Sequence, residues 1–113
     1  MRSDRARLLD ALEQIGLIQQ FAAAGPQKFR DDVLVQSAIL HRLTLLGEAC
    51  RTISADLRTA HPEVPWAQIA GFRNIVIHEY FALDVDLVWR VIADHVELLR
   101  VSLSQIVTDL PLE

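Results

Sequence analysis

Apolar residues recur at three-four spacing over four stretches of the chain, and each stretch predicts an amphipathic helix. From Asp4 to about Phe21 the stripe is Leu8, Leu9, Leu12, Ile15 and Ile18. Ala22 to Gln27, with Gly25-Pro26, ends that helix. A longer helix is expected from Asp31 to about Ala60, with Leu34 or Val35, Ala38, Ile39, Leu43, Leu46, Ala49, Cys50, Ile53 and Leu57 as its core stripe. Asp31 and Asp32 suit its positive end. Pro62 and Pro65 then force a stop and a fresh start, so the third helix is expected from about Trp66 to His78. The fourth runs from Asp84, a natural N-cap, to about Asp109, carrying Leu87, Val88, Val91, Ile92, Leu99, Leu103 and Ile106 at helical spacing. With no strand pattern, repeat or low-complexity tract, the fold class is all-α. Short linkers make it an up-and-down bundle of four principal helices.

Two details of the second helix point beyond its own core. Leu40 and Leu45 fall off the stripe, so the helix is apolar over more than one face and meets a second body. Gly47, in Leu46-Gly47-Glu48-Ala49, costs roughly 1 kcal/mol inside a helix, and a close helix crossing is its natural compensation.

The totals narrow the picture. At 113 residues the chain is a single domain, residues 1–113, and its 51% hydrophobic content exceeds what so small a body buries alone. A homodimer is expected to cover the surplus. The net charge of −4 repels a polyanion over the whole molecule, so any contact with nucleic acid is local. Lys28 is the one lysine among eleven Lys and Arg residues; composition bias is the plainer reading of that skew, although arginine is also the better fork for phosphate. Cys50 stands alone, which excludes an intrachain disulfide and a thiolate zinc cluster and fits a reducing cytoplasm. The basic start, Met1 to Arg7, precedes an apolar stretch broken by Asp10, Glu13 and Gln14, so it reads as neither signal peptide nor membrane span.

The third helix carries the unusual residues, Arg73-Asn74-Ile75-Val76-Ile77-His78-Glu79-Tyr80. On a wheel of about 100° per residue, Ile69, Phe72, Ile75 and Val76 form a core face. Arg73 and Tyr80 share one outward stripe; Asn74 and His78 share another about 100° to 140° away, with Ile77 between them. Glu79 projects toward the core unless the helix loosens after His78, which would put Tyr80 in a turn. An isoleucine among four polar side chains describes a lined cleft better than an open surface. These groups suit phosphodiester cleavage by the RNA's own 2′-hydroxyl, which requires neither a protein nucleophile nor a metal or other cofactor. An imidazole titrates near neutrality and moves the proton, and a guanidinium holds the phosphate. Two copies facing across a two-fold axis supply a second histidine, so acid and base roles divide. Asn74 can orient His78, and Tyr80 can donate to a phosphate oxygen or stack on a base.

The segment from Arg73 to Tyr80 resembles the Arg, four residues, His, one residue, Tyr signature of HepT-like HEPN ribonuclease toxins. Leu46-Gly47-Glu48-Ala49 resembles the family's Ile-Gly-Glu-Ala, and Pro65-Trp66 through Gly71-Phe72-Arg73-Asn74 its Pro-Trp, Gly, Arg-Asn run. Asp86, Val88 and Trp89 match the opening of its last helix. The resemblance implies a HEPN-type bundle of four to five helices and a homodimer with both motifs in the intersubunit cleft. It also implies metal-independent RNA cleavage within a type VII-like toxin-antitoxin system. It makes Arg73 and His78 catalytic, with Asn74 and Tyr80 supporting. It further implies a minimal nucleotidyltransferase antitoxin as partner, with Tyr80 as acceptor of AMP. Glu48 is a further supporting candidate, placed by its motif neighbours near the cleft, where it can fix Arg73; a plain helix-surface carboxylate is the competing reading.

Blander assignments cover the remaining residues. His41, His61 and His95 are read as structural, Trp66 and Trp89 as packing anchors, and Arg2, Arg5 and Arg7 as a solvated end. Two other functions compete with the nuclease. A noncatalytic subunit or nucleotide-sensing module would use the same cleft to hold a nucleotide, which the acidic balance and Glu79 favour. A purely structural dimerisation bundle would use Arg73 and His78 as interface residues, and mutating them would then cost stability.

Overall fold

Helix starts in the computed structural model, which describes residues 2–112, are set mostly by short polar side chains. The outermost residues of the expected domain, Met1 and Glu113, lie outside the described residues. Ser3 accepts from the Ala6 amide at 3.1 Å and opens α1, Asp4–Ala22. Gly25, at φ 97°, turns the chain into Pro26 and a short α2, Pro26–Asp31. Asp32 accepts from the Leu34 and Val35 amides and opens α3, Val33–Arg51. Ser54 caps α4, Ala55–Ala60. Beyond the proline turn come α5, Trp66–Ala70, and α6, Phe72–Glu79, followed by a 3-10 turn at Tyr80–Ala82. Asp84 caps α7, Val85–Asp109, accepting from the Leu87 amide at 3.1 Å, as its sequence position predicts.

Cross-chain contacts fix the directions of the helices. Asp4 meets Ser54, Arg7 meets Thr52 and Arg42 meets Gln14, so α1 and α3 are antiparallel. Arg5 reaches the Val107 carbonyl and Gln19 reaches Glu97, so α1 and α7 are antiparallel as well. On its other side α3 carries α5 and α6. The result is an all-α, up-and-down bundle of the expected class, measuring 43 × 27 × 24 Å. Its core runs from Leu8, Ala11, Ile15 and Ile18 of α1 through Ile39, Leu43, Leu46 and Cys50 of α3 to Ile92, Val96, Leu103 and Ile106 of α7. No helix among the described residues is long and apolar enough to cross a membrane.

Several boundaries differ from the periodicity. The helix expected over 31–60 is broken at Thr52–Ser54. There the Thr52 hydroxyl donates back to the Ala49 carbonyl, and Ser54 gives both its amide and its hydroxyl to the Asp4 carboxylate. Local side-chain hydrogen bonds replace the helical ladder at that point. Part of the segment expected as a loop is α2, anchored by buried Phe29, whose ring packs against Trp89 at 5.5 Å. Leu9 and Leu87, assigned to core stripes, are exposed, and Ala11 takes the inward position in α1; of Leu34 and Val35, Val35 packs against the core. Both tryptophans are anchors as expected: Trp66 is buried and its indole N–H donates to the His61 carbonyl at 2.9 Å.

Candidate active site on the motif helix

The motif helix lies directly on backbone. A Cβ built on Gly47 would stand 2.7 Å from the Ile69 carbonyl oxygen and 3.6 Å from the Arg73 amide nitrogen. Only a residue without a side chain lets α5 and the start of α6 settle on α3 at this separation, which is the close crossing that Gly47 predicts. Gly71 joins the two short helices, its amide donating to the Ala67 carbonyl at 3.0 Å and its carbonyl accepting from the Ile75 amide at 3.2 Å.

From this seat α6 turns Phe72 and Val76 toward the core, and no residue of α6 is fully buried. Ile75, expected on the core face, is 47% exposed, because only the Phe72–Val76 edge of so short a helix reaches the bundle. Ile77 is 53% exposed, and Phe81 just beyond is wholly exposed. Regular helix stops at Glu79, whose backbone at φ −121° and ψ 18° leaves the helical region, so Tyr80 stands in the 3-10 turn. The expected loosening after His78 is therefore present.

The side chains of Arg73, Asn74, His78 and Tyr80 all lie at the surface. Arg73 faces α3, its Nε 3.9 Å from Glu48 Oε2. Glu48 is held more tightly within its own helix by Arg51, whose two nitrogens reach the carboxylate at 2.5 and 3.3 Å. That hydrogen bond first, with help from the Arg51 and Arg73 charges and against the effect of burial, keeps the Glu48 carboxyl below the usual carboxylate range. Tyr80 also faces α3, its hydroxyl 3.4 Å from the Ser37 hydroxyl, with its ring edge-on to Phe81. His78 and Asn74 point elsewhere, His78 about 140° around α6 from Arg73. The structure thus brings Arg73, Glu48 and Tyr80 to one edge of the α3–α6 pair and puts the imidazole on the outer face. Cys50 offers no competing nucleophile, since it is buried and burial pushes its thiol up to about 12.

Two contacts here were not singled out from the sequence, Arg51 on Glu48 and Ser37 on Tyr80. The signal for both was a polar stripe on α3, Ser37, His41, Thr44, Glu48 and Arg51, at three-four spacing opposite the apolar one. A separate apolar groove of about 450 Å³ lies between α5 and α7, lined by Leu46, Ile69, Phe72, Val96, Leu99 and others.

The match to known proteins covers the whole of this arrangement. The family model described as Ribonuclease HepT-like fits residues 11–106, from within α1 to near the end of α7. The chain belongs to the HepT-like ribonuclease family. Among curated relatives, "Putative RNase MJ1380" of Methanocaldococcus jannaschii is 34% identical over 96 residues, spanning 84% of this chain and 88% of the relative. "Probable ribonuclease HepT" of Thermococcus cleftensis is 34% identical over 100 residues, 88% of this chain and 91% of the relative. "Putative RNase TTE0752" of Caldanaerobacter subterraneus is 29% identical over 107 residues, 94% and 96% of the two chains. No solved structure matches at comparable stringency. All five site candidates of this HepT-like chain, Glu48, Arg73, Asn74, His78 and Tyr80, fall inside the matched span.

Proposed function

We propose that this HepT-like chain is a metal-independent endoribonuclease whose active centre forms where the α6 helices of two copies meet. In this reading Arg73 holds the scissile phosphate and the charge that grows on it, His78 transfers a proton, and Asn74 steadies the imidazole from one turn away. The 2′-hydroxyl attacks phosphorus, the bond to the 5′ oxygen breaks, and the products end in a cyclic phosphate and a 5′-hydroxyl. The supporting observation is the exposure of α6. Its two reactive groups point outward in directions about 140° apart, and the apolar Ile75, Ile77 and Phe81 around them are left uncovered in a single copy. A second copy of the same face both covers that surface and offers a guanidinium to each imidazole. Purified protein is expected to cleave RNA in EDTA, and His78→Ala to abolish cleavage; equal activity in that variant would remove His78 from the mechanism.

The same reading makes the chain the toxin of a type VII-like pair, restrained in the cytoplasm by a minimal nucleotidyltransferase that places AMP on Tyr80. The Tyr80 hydroxyl is reachable, the residue being 43% exposed, and an added adenylate would bring bulk and negative charge to the edge where Arg73 awaits phosphate. Intact-mass measurement after coexpression with the neighbouring nucleotidyltransferase is expected to show one added AMP, lost in Tyr80→Phe. A noncatalytic nucleotide-binding module is the alternative that the net charge of −4 favours. Nucleotide binding by a folded dimer that cleaves no RNA would support it.

A further inference from the structure

We propose that His41 is a second catalytic imidazole of the same site, contributed by α3 and facing the substrate edge that Arg73 and Tyr80 line. Two contacts bracket it. Ser37, one turn before, touches the Tyr80 hydroxyl, and Glu48, two turns after, lies beside Arg73. Along α3 at about 1.5 Å per residue, His41 stands about 6 Å from Ser37 and about 10 Å from Glu48. Around the helix, Ser37, His41, Thr44, Glu48 and Arg51 share an arc of about 80°, well away from the buried Ile39, Leu43 and Leu46. Gly47, against which the start of α6 rests, and the buried Leu40 lie beside this arc. His41 is an exposed residue at this position.

Its neighbours are otherwise committed. Thr44, the next residue on the arc, turns its hydroxyl back to the Leu40 carbonyl at 2.9 Å, and Arg42 turns to Gln14 on α1. Glu48 is taken by Arg51. The charged and titratable groups around the edge are therefore Arg73 and Tyr80 from the motif segment and Glu48 and Arg51 from α3 itself. A phosphate drawn to Arg73 meets His41 on the side opposite to His78.

The inference rests on the ribonuclease reading and supplies what that chemistry requires, two proton carriers at one phosphate. One neutral imidazole takes the proton of the 2′-hydroxyl as the O2′–P bond forms. The other, as imidazolium, gives its proton to the 5′ oxygen as the P–O5′ bond breaks. His41 fills one role and His78 the other.

The test combines kinetics with an activity-free readout on the purified full chain. Wild type is expected to give a bell-shaped pH profile of kcat/KM, and His41→Gln to lose one limb and about 10²-fold or more in kcat/KM while remaining folded. Loss of the acidic limb would make His41 the base, and loss of the basic limb the acid. Single-stranded RNA fully 2′-O-methylated, which binds without being cut, is expected to shift the His41 ring resonance in NMR spectra. An unmoved resonance would overturn the proposal, as would a His41→Gln enzyme within twofold of wild type with both limbs intact. A loss confined to KM would also overturn it, leaving His41 a phosphate contact. Wild type that cleaves no RNA would instead remove the ribonuclease reading itself, and this proposal with it.

Discussion

Gly47 and Ile69 meet so closely that a Cβ on the glycine would stand 2.7 Å from the carbonyl oxygen. That single approach sets the height of α5 and α6 above α3, and so the position of Arg73 relative to Glu48. Gly47→Ala gains about 1 kcal/mol of helix propensity. Overpacking against backbone that cannot rotate away costs about 1–3 kcal/mol, so the fold is nevertheless expected to be destabilised by a net of up to about 2 kcal/mol. Urea unfolding checks this, and RNA cleavage by the folded variant is expected to fall with it. A variant more stable than wild type would show that the crossing tolerates a methyl group.

The same glycine shows how far the sequence could be read. Its cost inside a helix announced the crossing, Asp84 announced the start of α7, and the wheel position of Glu79 announced the loosening that puts Tyr80 in a turn. The break at Thr52–Ser54 was hidden, because it depends on Asp4, far away in sequence, accepting hydrogen bonds from Ser54. Periodicity reports which residues are apolar and says nothing of such partners. Ile75 was misplaced for a related reason: its spacing fits a core face, but α6 touches the bundle only along Phe72 and Val76. The motif residues stand out in the sequence as a set, whereas the polar stripe of α3 beside them joins the candidate site only through its contacts.

The uncovered apolar residues of α6 predict an interface. Ile77→Glu introduces a charge where a second copy would bury it and is expected to yield a folded monomer that cleaves no RNA. Sedimentation at several concentrations checks the oligomeric state. A variant that remains a dimer would place the interface on another face.

Stability is expected to fall in acid through the tie between α1 and α7. Glu97 accepts from Arg100 at 2.5 and 2.8 Å and from Gln19 at 2.7 Å, and these bonds, Arg100 first, bring its carboxyl down to about 2. A carboxyl lowered on folding stabilises above its unfolded value of about 4.3, and that contribution fades as pH falls from there toward about 2. NMR titration of the Glu97 side chain checks the midpoint, and Glu97→Gln is expected to flatten part of the acid limb of the stability curve. A midpoint near 4 would mean the contact is absent in solution.

Whether two copies build one centre is tested most directly by mixing inactive parents. Arg73→Ala and His78→Ala, both at exposed positions, are expected to fold with stability within about 0.5 kcal/mol of wild type and to be inactive as separate homodimers. After subunit exchange, verified by mass, each mixed dimer holds one intact Arg73 and one intact His78 on opposite protomers. Cleavage of RNA in EDTA that rises well above both parents is the expected result. Mixed dimers as silent as their parents would contradict a cleft shared between two copies of α6.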